Sequence, residues 1–417
     1  MPEVDPKPAV SRRQILKAGT AAAAFAAGGS LLRAAETAAS APASQSAEAA
    51  APASQPLPPL PTRPLGRSGV KVSTVNLGCG GNISQRLLDK AYEMGVRYFD
   101  TAASYGKGKS EQEIARWFER TGKRKEIFLV SKDGVGKPEN LLAKIDTRLE
   151  ALKTDYLDLY FVHGLGDNKD NHTPDWAKSD SFRRTAEQLK KSGKVRLVGF
   201  SCHVPNAPEY LQAAAEGGFV DAIMMSYNPV AGKKKDEALD KALDACHKAG
   251  IGLIAMKTTR GLRSTIDMEA LGDLTVHQAV IKAVLGDPRI ATVCSAMGNF
   301  TQIEQNTAAA RTMDKPLTNT QIDSLRSAIA AAGMEFCPGC DACRKGIAAT
   351  HPHVHDAMRY LSYFEQDGRW DHARQLYRAL PAGALDVPAD ALRAAKAACA
   401  FHVDYPSLIR RAAQRLA

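Results

Sequence analysis

The sequence predicts an α/β protein whose main part is a (β/α)8 TIM barrel, followed by a C-terminal helical, cysteine-bearing extension. From Thr62 onward, short runs rich in β-branched residues alternate with amphipathic segments of helical period. This alternation is typical of a parallel sheet covered by helices. Polar residues follow the ends of successive runs, and the steps from Tyr105 to Lys132 and from Lys132 to His163 are each roughly 30 residues, the length of one strand-helix-strand unit.

Eight candidate strands supply the number that a closed barrel of this type requires. Helix-like segments separate them, and the active sites of such barrels lie where the strands end. The predicted strands cover residues 72–78, 96–101, 127–132, 157–163, 195–201, 222–227, 251–257 and 291–296.

The charge of the chain does not indicate a nucleic-acid partner. Lysine and arginine number 55 against 45 aspartate and glutamate residues, a formal net charge of +10. The basic residues are spread along the chain without a long basic run or interleaving with aromatic residues. Such a pattern is typical of a solvated surface, so we predict no nucleic-acid binding.

The first 61 residues have the composition of a targeting signal and a linker. Arg12 and Arg13 stand in Ser-Arg-Arg-Gln-Ile-Leu-Lys before a weakly apolar run, a pattern that resembles a twin-arginine export signal. The run is too short and too rich in Gly and Ala for a stable membrane span, which needs about 20 apolar residues. The segment after it is almost wholly Ala, Pro, Ser, Gln and Glu, which indicates a disordered tether.

We therefore divide the chain into four parts. The signal peptide is expected to direct export by the twin-arginine translocase, to the periplasm or otherwise out of the cytoplasm. The parts are a signal peptide over residues 1–34, a linker over residues 35–61, the barrel over residues 62–332 and the helical extension over residues 333–417.

Four residues at the predicted strand ends together supply the groups that carbonyl reduction requires: Asp100, Tyr105, Lys132 and His163. Hydride transfer to a carbonyl leaves an alkoxide that must be protonated as it forms, so an acid must stand near the oxygen. A tyrosine hydroxyl titrates at about 10, and a nearby lysine ammonium lowers that pKa. We expect Tyr105 to be this acid, Lys132 to lower its pKa, Asp100 to hold the lysine, and His163 to donate a hydrogen bond to the substrate oxygen.

With these four residues in order, residues 62–332 resemble the aldo-keto reductase family. The family's catalytic tetrad corresponds to Asp100 in Phe-Asp-Thr-Ala, Tyr105 in Ser-Tyr-Gly, Lys132 in Val-Ser-Lys and His163 in Phe-Val-His-Gly. The resemblance implies a TIM-barrel oxidoreductase that interconverts a small carbonyl substrate and an alcohol by nicotinamide hydride transfer.

The same resemblance implies that NAD(P)H lies across the strand ends. Ser201 in Gly-Phe-Ser-Cys-His matches the serine that holds the carboxamide, and Asn306 in Glu-Gln-Asn matches the asparagine near the adenine. The loop that begins near Lys257 is expected to supply a cation for the pyrophosphate, although an ordinary strand-helix loop is an equally good interpretation. Gln302 stands where an arginine often binds the 2′-phosphate of NADP, so the choice between NAD and NADP stays open.

Four cysteines of the extension form a candidate metal site. Cys337, Cys340 and Cys343 follow the spacing C-x2-C-x2-C, which lets three thiolates of one loop converge on a single cluster. The tail resembles those of exported aldo-keto reductases with a ferredoxin-like extension, and this resemblance implies a 4Fe-4S cluster whose fourth ligand is Cys399. A structural zinc would also fit four thiolates, and disulfides are natural in an oxidising compartment, so both alternatives stay open.

Two functions of different classes are compatible with these features. The first is an exported oxidoreductase of the aldo-keto reductase type, with tyrosine as proton donor. The second is a periplasmic iron-sulfur electron carrier, or a redox-partner subunit, that uses the barrel as a scaffold and exchanges electrons with another protein. The second is considered because soluble nicotinamide is not expected to be recycled outside the cytoplasm.

Overall fold

A computed structural model gives the structure of the protein. It describes residues 56–417 apart from residues 82, 168–172, 205, 231–235, 263–265, 267–268, 338–345, 367–368 and 400. The predicted signal peptide and most of the predicted linker lie outside the described residues. Residues Ser54–Ala417 belong to one compact unit, so the barrel and the extension can be described together.

Eight parallel strands close into a barrel, which confirms the predicted fold class. A short antiparallel hairpin, β1 (Thr62–Pro64) and β2 (Lys71–Ser73), precedes the barrel. Each barrel strand pairs with its neighbour in sequence, and the last pairs with the first. The barrel strands are β3 (Val75–Gly78), β4 (Tyr98–Asp100), β5 (Phe128–Asp133), β6 (Leu157–Val162), β7 (Val195–Cys202), β8 (Ala222–Ser226), β9 (Gly252–Met256) and β10 (Ile290–Ala296).

The first predicted strand, residues 72–78, is in fact divided between β2 and β3 at Thr74. The Thr74 N–H donates to the carbonyl of Pro61, while the Thr74 carbonyl accepts from the N–H of Val293 on β10. The backbone therefore leaves the hairpin and joins the barrel at this residue. The sequence pattern did not show the division because the residues on both sides are buried and β-branched, such as Val72 and Val75.

Helices cover the outside of the barrel, and polar side chains cap the N-termini of several of them. Ser84 caps the first helix by accepting from the N–H of Leu87, and Thr275 forms a capping box with Gln278. These helices are α1 (Gln85–Glu93), α2 (Lys109–Thr121), α3 (Asn140–Leu152), α4 (Asp180–Lys191), α5 (Ala207–Gly217), α6 (Glu237–Lys248), α7 (Val276–Leu285) and α8 (Phe300–Arg311).

The alternation of side chains along the strands separates an inner core from an outer core. Tyr98 and Val130 belong to the cluster inside the barrel, whereas Phe99 packs between the strands and the helices. Side chains two residues apart on a strand point to the same face. Asp100 and Lys132 follow Tyr98 and Val130 at this spacing, so both point into the barrel.

The extension packs on the barrel through a second apolar cluster. Phe336, Leu361 and Phe401 of the extension share this cluster with Val280 of α7. None of the described helices has the length and hydropathy needed to cross a membrane. The remaining helices are α9 (Asn319–Ala332), α10 (Ile347–Thr350), α11 (His353–Glu365), α12 (Trp370–Arg378), α13 (Ala389–Ala398) and α14 (Tyr405–Leu416).

Candidate active site

The four residues of the predicted tetrad meet at the C-terminal end of the barrel. Asp100 ends β4, Lys132 lies near the end of β5, and His163 directly follows β6. Tyr105 begins the short 3-10 segment Tyr105–Gly108 after β4. Because these three strands are neighbours in the barrel, their ends meet at one rim, and all four side chains line a cavity of about 530 Å³.

Lys132 and Asp100 form a buried ion pair at the base of this cavity. The lysine Nζ lies 2.5 Å from Asp100 Oδ1 and also donates to the carbonyl of Thr101 at 2.9 Å. The two side chains are only 1% and 2% exposed. Burial alone would lower the pKa of Lys132, but the neighbouring acidic groups, first among them the Asp100 carboxylate, raise it. Lys132 therefore keeps its positive charge inside the protein.

Tyr105 is a neutral phenol in this environment. Burial raises the pKa of Tyr105 to about 12, although the positive charge of Lys132 opposes the rise. The lysine Nζ lies 5.1 Å from the centroid of the tyrosine ring. Lys132 therefore acts in the predicted direction, but the pKa of Tyr105 stays above its ordinary value because burial is the larger effect. The phenol holds its proton at neutral pH and has it available for donation.

His163 lies beside Tyr105 as a neutral imidazole. The two rings meet edge to face, with centroids 5.4 Å apart. Burial lowers the pKa of His163 well below its ordinary value, and the positive charges of Lys132 and Arg369 lower it further. The ring Nδ1 lies 3.4 Å from the hydroxyl of Ser104. A neutral ring can donate a hydrogen bond to a substrate oxygen without adding another charge to the cavity.

The predicted cofactor residues Ser201 and Asn306 have different positions relative to the cavity. Ser201 lines the cavity, and its hydroxyl accepts from the N–H of Gly164 at 2.9 Å. Asn306 lies behind Ser295, a cavity residue whose hydroxyl accepts from the Asn306 amide at 2.9 Å. Gln302, one turn before Asn306, borders the cavity and accepts from the N–H of Gly298 through its side-chain oxygen.

Lys257 is a half-buried cation at the rim, directly after β9. Its φ of 57° is unusual for a residue other than glycine, and such backbone conformations are frequent at functional sites. Burial lowers the pKa of Lys257 to about 8. Its Nζ lies 3.3 Å from the hydroxyl of Tyr363 on α11. The predicted contact with a pyrophosphate stays a prediction.

The extension reaches the same cavity, which the sequence analysis did not anticipate. Tyr363, Gln366 and Arg369 line it together with the barrel residues. Arg369 lies with its guanidinium carbon 5.2 Å from the ring centroid of Tyr105. No local motif marks these three residues, and the sequence connected the extension only with the candidate metal site.

Polar contacts at the barrel rim hold α11 in place. Arg359 donates to His203 Nδ1 at 2.8 Å and lies 3.3 Å from the carboxylate of Asp167. Arg260, in the loop after β9, donates to the hydroxyl of Ser362 at 2.6 Å. The extension is therefore part of the wall of the active site.

Tyr363 responds strongly to the cations around it. Burial would raise its pKa, but the positive charges of Lys257, Arg359 and Arg260 outweigh burial and lower it to about 8. Tyr105 and Tyr363 thus line one cavity with pKa values displaced in opposite directions. Only Tyr105 is fully protonated across the neutral range.

The candidate metal ligands are described only in part. Cys337 and Cys399 are half-buried against the second apolar cluster, whereas Cys340 and Cys343 lie outside the described residues. A backbone hydrogen bond of 2.9 Å from Met334 to Phe401 joins the chain just before Cys337 to the chain just after Cys399. The described residues contain no group of three or more side chains that could hold a metal ion, and they do not include Cys340 or Cys343.

The closed barrel and the buried group of titratable side chains at its strand ends are typical of a TIM-barrel enzyme. Residues 82–269 match the sequence model described as the Aldo/keto reductase family. The matched residues lie within the barrel, so the match, the fold and the site together support an oxidoreductase of the aldo-keto reductase type.

Individual relatives agree with this family. The uncharacterized oxidoreductase YqkF of Bacillus subtilis is 27% identical over 308 residues, which cover 64% of this chain and 95% of the relative. The aldo-keto reductase yakc of Schizosaccharomyces pombe is 30% identical over 192 residues, covering 41% of this chain and 53% of the relative. In fold, the chain is similar to an aldo-keto reductase of Bacillus halodurans in its holo form, with a TM-score of 0.53, 23% identity, and coverage of 64% of this chain and 96% of the other.

Proposed function

We propose that the protein interconverts a small carbonyl compound and the corresponding alcohol, with NAD(P)H as the hydride donor and Tyr105 as the proton donor. The observation that carries the proposal is the protonated Tyr105 beside the buried Lys132–Asp100 ion pair at the barrel rim. The name of the relative from Schizosaccharomyces pombe includes NADP(+), which supports a nicotinamide cofactor.

The residues around the cavity fit such a cofactor. The N-terminus of α8 borders the cavity through Gly298 and Asn299, and a helix N-terminus favours an anionic group such as a pyrophosphate. Lys257 adds a cation at the same rim, and Ser201 supplies a hydroxyl near His163. The residues that would hold the dinucleotide are therefore Ser201 and Lys257 at the cavity, with Asn306 behind it.

The bound dinucleotide supplies the hydride that reduces the carbonyl carbon. Tyr105 donates its proton to the carbonyl oxygen, so that the double bond opens and a neutral alcohol leaves. Lys132 stabilises the phenolate that remains, because its charge is held close by and out of water. Asp100 orients the lysine, and neutral His163 donates a hydrogen bond that positions the oxygen. Alcohol oxidation runs through the same groups in reverse.

Titration with NADH and NADPH tests this function. Either dinucleotide is expected to quench the intrinsic fluorescence of the purified protein and to be oxidised only when a carbonyl such as 4-nitrobenzaldehyde is present. The control is the same mixture without the aldehyde. Binding of neither dinucleotide would rule out the nicotinamide enzyme and favour the electron-carrier alternative.

We further propose that Cys337, Cys340, Cys343 and Cys399 ligate a 4Fe-4S cluster in an exported protein. The C-x2-C-x2-C spacing supports the cluster, and the hydrogen bond from Met334 to Phe401 brings the segments that contain the first and last ligands together. The paired arginines before the apolar run of residues 18–32 support export by the twin-arginine translocase. That route carries folded proteins, so a cluster inserted in the reducing cytoplasm could be retained.

Substitution of Cys399 is expected to remove the cluster. Protein purified anaerobically from the periplasmic fraction should contain iron and acid-labile sulfide and should show the EPR signal of a reduced 4Fe-4S cluster. Cys399→Ser should lose most of both, because one of the four thiolates is absent. Cys246→Ser is the control, since Cys246 is a fully buried barrel cysteine far from the tail in sequence. Zinc in place of iron, or protein confined to the cytoplasm, would contradict the proposal.

A further inference from the structure

We propose that Arg369 binds the carboxylate of the substrate, so that the enzyme acts preferentially on carbonyl compounds that carry a carboxylate group. The inference rests on the proposed function, since it names the substrate class for the same site. It assigns a role in substrate recognition to the extension, which the barrel alone could not perform.

Arg369 is a cation without a counterion in the part of the chain that the structure describes. Its guanidinium carbon lies 5.2 Å from the ring centroid of Tyr105 and 4.7 Å from that of Tyr363. Its Nε is buried and has no hydrogen-bond partner among the described residues, and none of their carboxylates pairs with it. A buried donor left without a partner costs free energy, and a ligand that accepts its hydrogen bonds removes that cost.

The other cations that line the cavity are already engaged by groups of the protein. Lys132 is paired with Asp100, and Lys257 contacts the hydroxyl of Tyr363. The guanidinium of Arg260 donates to α11, as described above. Among the cations of the cavity, Arg369 is thus the one whose guanidinium has no polar partner among the described residues.

The chemistry of a single guanidinium selects a carboxylate. Its planar N–H donors match the two oxygens of a carboxylate in a bidentate arrangement. Stacking against aromatic rings uses the face of the group and leaves the N–H edge for the ligand. One free positive charge balances a monoanion, whereas a phosphate dianion would require a second cation, and Lys257 is already assigned to the dinucleotide.

Arg369 lies close enough to Tyr105 for one small molecule to present a carboxylate to the arginine and a carbonyl group to the tyrosine. Arg369 lies over the ring of Tyr105, so a carboxylate bound to it is at the same end of the cavity as the proton donor. The substrate carbon then accepts a hydride from the reduced nicotinamide, and its oxygen accepts the proton of Tyr105. The nicotinamide is oxidised, the carbonyl becomes an alcohol, and the carboxylate is unchanged.

A matched pair of aldehydes tests the inference. We expect the enzyme to reduce 4-formylbenzoate with a kcat/KM about 10- to 100-fold above that for its methyl ester, the range expected for a hydrogen bond to a charged group. In Arg369→Gln this ratio should fall to about one, because the planar cation is gone. We compare the ratio of the two kcat/KM values because a loss of activity that affects both substrates equally does not change it.

The control is Arg374→Gln in α12, the helix that begins directly after Arg369. Arg374 donates to the backbone carbonyl of Arg415 and lies over Phe364, so its loss should leave the acid-to-ester ratio unchanged. A preference for the acid that persists in Arg369→Gln, or its absence in the parent enzyme, overturns the inference and leaves carbonyl reduction intact.

Failure of the proposed function would be recognised separately. If neither aldehyde is oxidised or reduced with either dinucleotide, the proposed reaction is wrong, and binding of terephthalate then decides the role of Arg369. Terephthalate should raise the melting temperature of the parent protein but not that of Arg369→Gln if the anion site exists. Equal shifts in both proteins, or no shift in either, overturn the anion site as well.

Discussion

Tyr105→Phe is expected to lower kcat for carbonyl reduction by about 10²- to 10⁴-fold, the usual contribution of a positioned general acid. The substitution removes the hydroxyl that holds the proton and keeps the ring that His163 and Arg369 contact. The measurement is dinucleotide oxidation at saturating 4-nitrobenzaldehyde, with thermal unfolding to show that the variant is folded.

Tyr377→Phe is the matched control for this experiment. It removes the hydroxyl of another tyrosine, on α12, where the side chain packs against the second apolar cluster. It should leave kcat within about threefold of the parent value, because surface or peripheral changes of this kind are usually small. A Tyr105→Phe variant that is as active as this control would show that another group protonates the substrate.

Asp100→Asn is expected to lower the free energy of unfolding by about 3–5 kcal/mol, because it leaves the charge of Lys132 buried without a counterion. Urea unfolding at neutral pH, followed by circular dichroism, measures the loss. Glu119→Gln is the control, since Glu119 pairs with Lys153 at the surface, where the side chains are 50% and 58% exposed. Its loss should cost less than about 1 kcal/mol.

A double substitution separates the unpaired charge from the loss of packing. Asp100→Leu combined with Lys132→Met removes both charges and should recover much of the stability that Asp100→Asn loses, because no buried ion is left alone. Both variants should be inactive in carbonyl reduction. If Asp100→Asn were as stable as the surface control, Lys132 would not depend on Asp100 for its charge in the folded protein.

The order of the tetrad could be predicted from sequence because each member depends on local pattern. Asp100 and Lys132 follow apolar residues of the inner barrel at a spacing of two, and His163 directly follows an apolar strand. Once the strands are parallel and adjacent, their ends must meet at one rim. The same local reasoning failed at Thr74, where two strands with the same composition have different hydrogen-bond partners.

The pKa of Tyr105 could not be predicted from local sequence pattern. The sequence predicts that Lys132 lowers the pKa of Tyr105, and its charge does act in that direction. How far the pKa moves depends on how much water is excluded from the phenol. Helix α11 and the segment before α12 line the cavity around Tyr105, and burial outweighs the lysine.

The primary sequence is thus sufficient for the barrel and for the four polar residues at its strand ends, because these depend on periodicity and on spacing between neighbouring strands. The placement of Arg369 over Tyr105 and of Tyr363 beside Lys257 emerges only on folding. These pairs are more than a hundred residues apart and are joined by apolar packing of the extension on α7, and no local pattern encodes such contacts. The barrel supplies the four residues of the candidate site, and the folded extension supplies the part of the cavity wall to which we assign the choice of substrate.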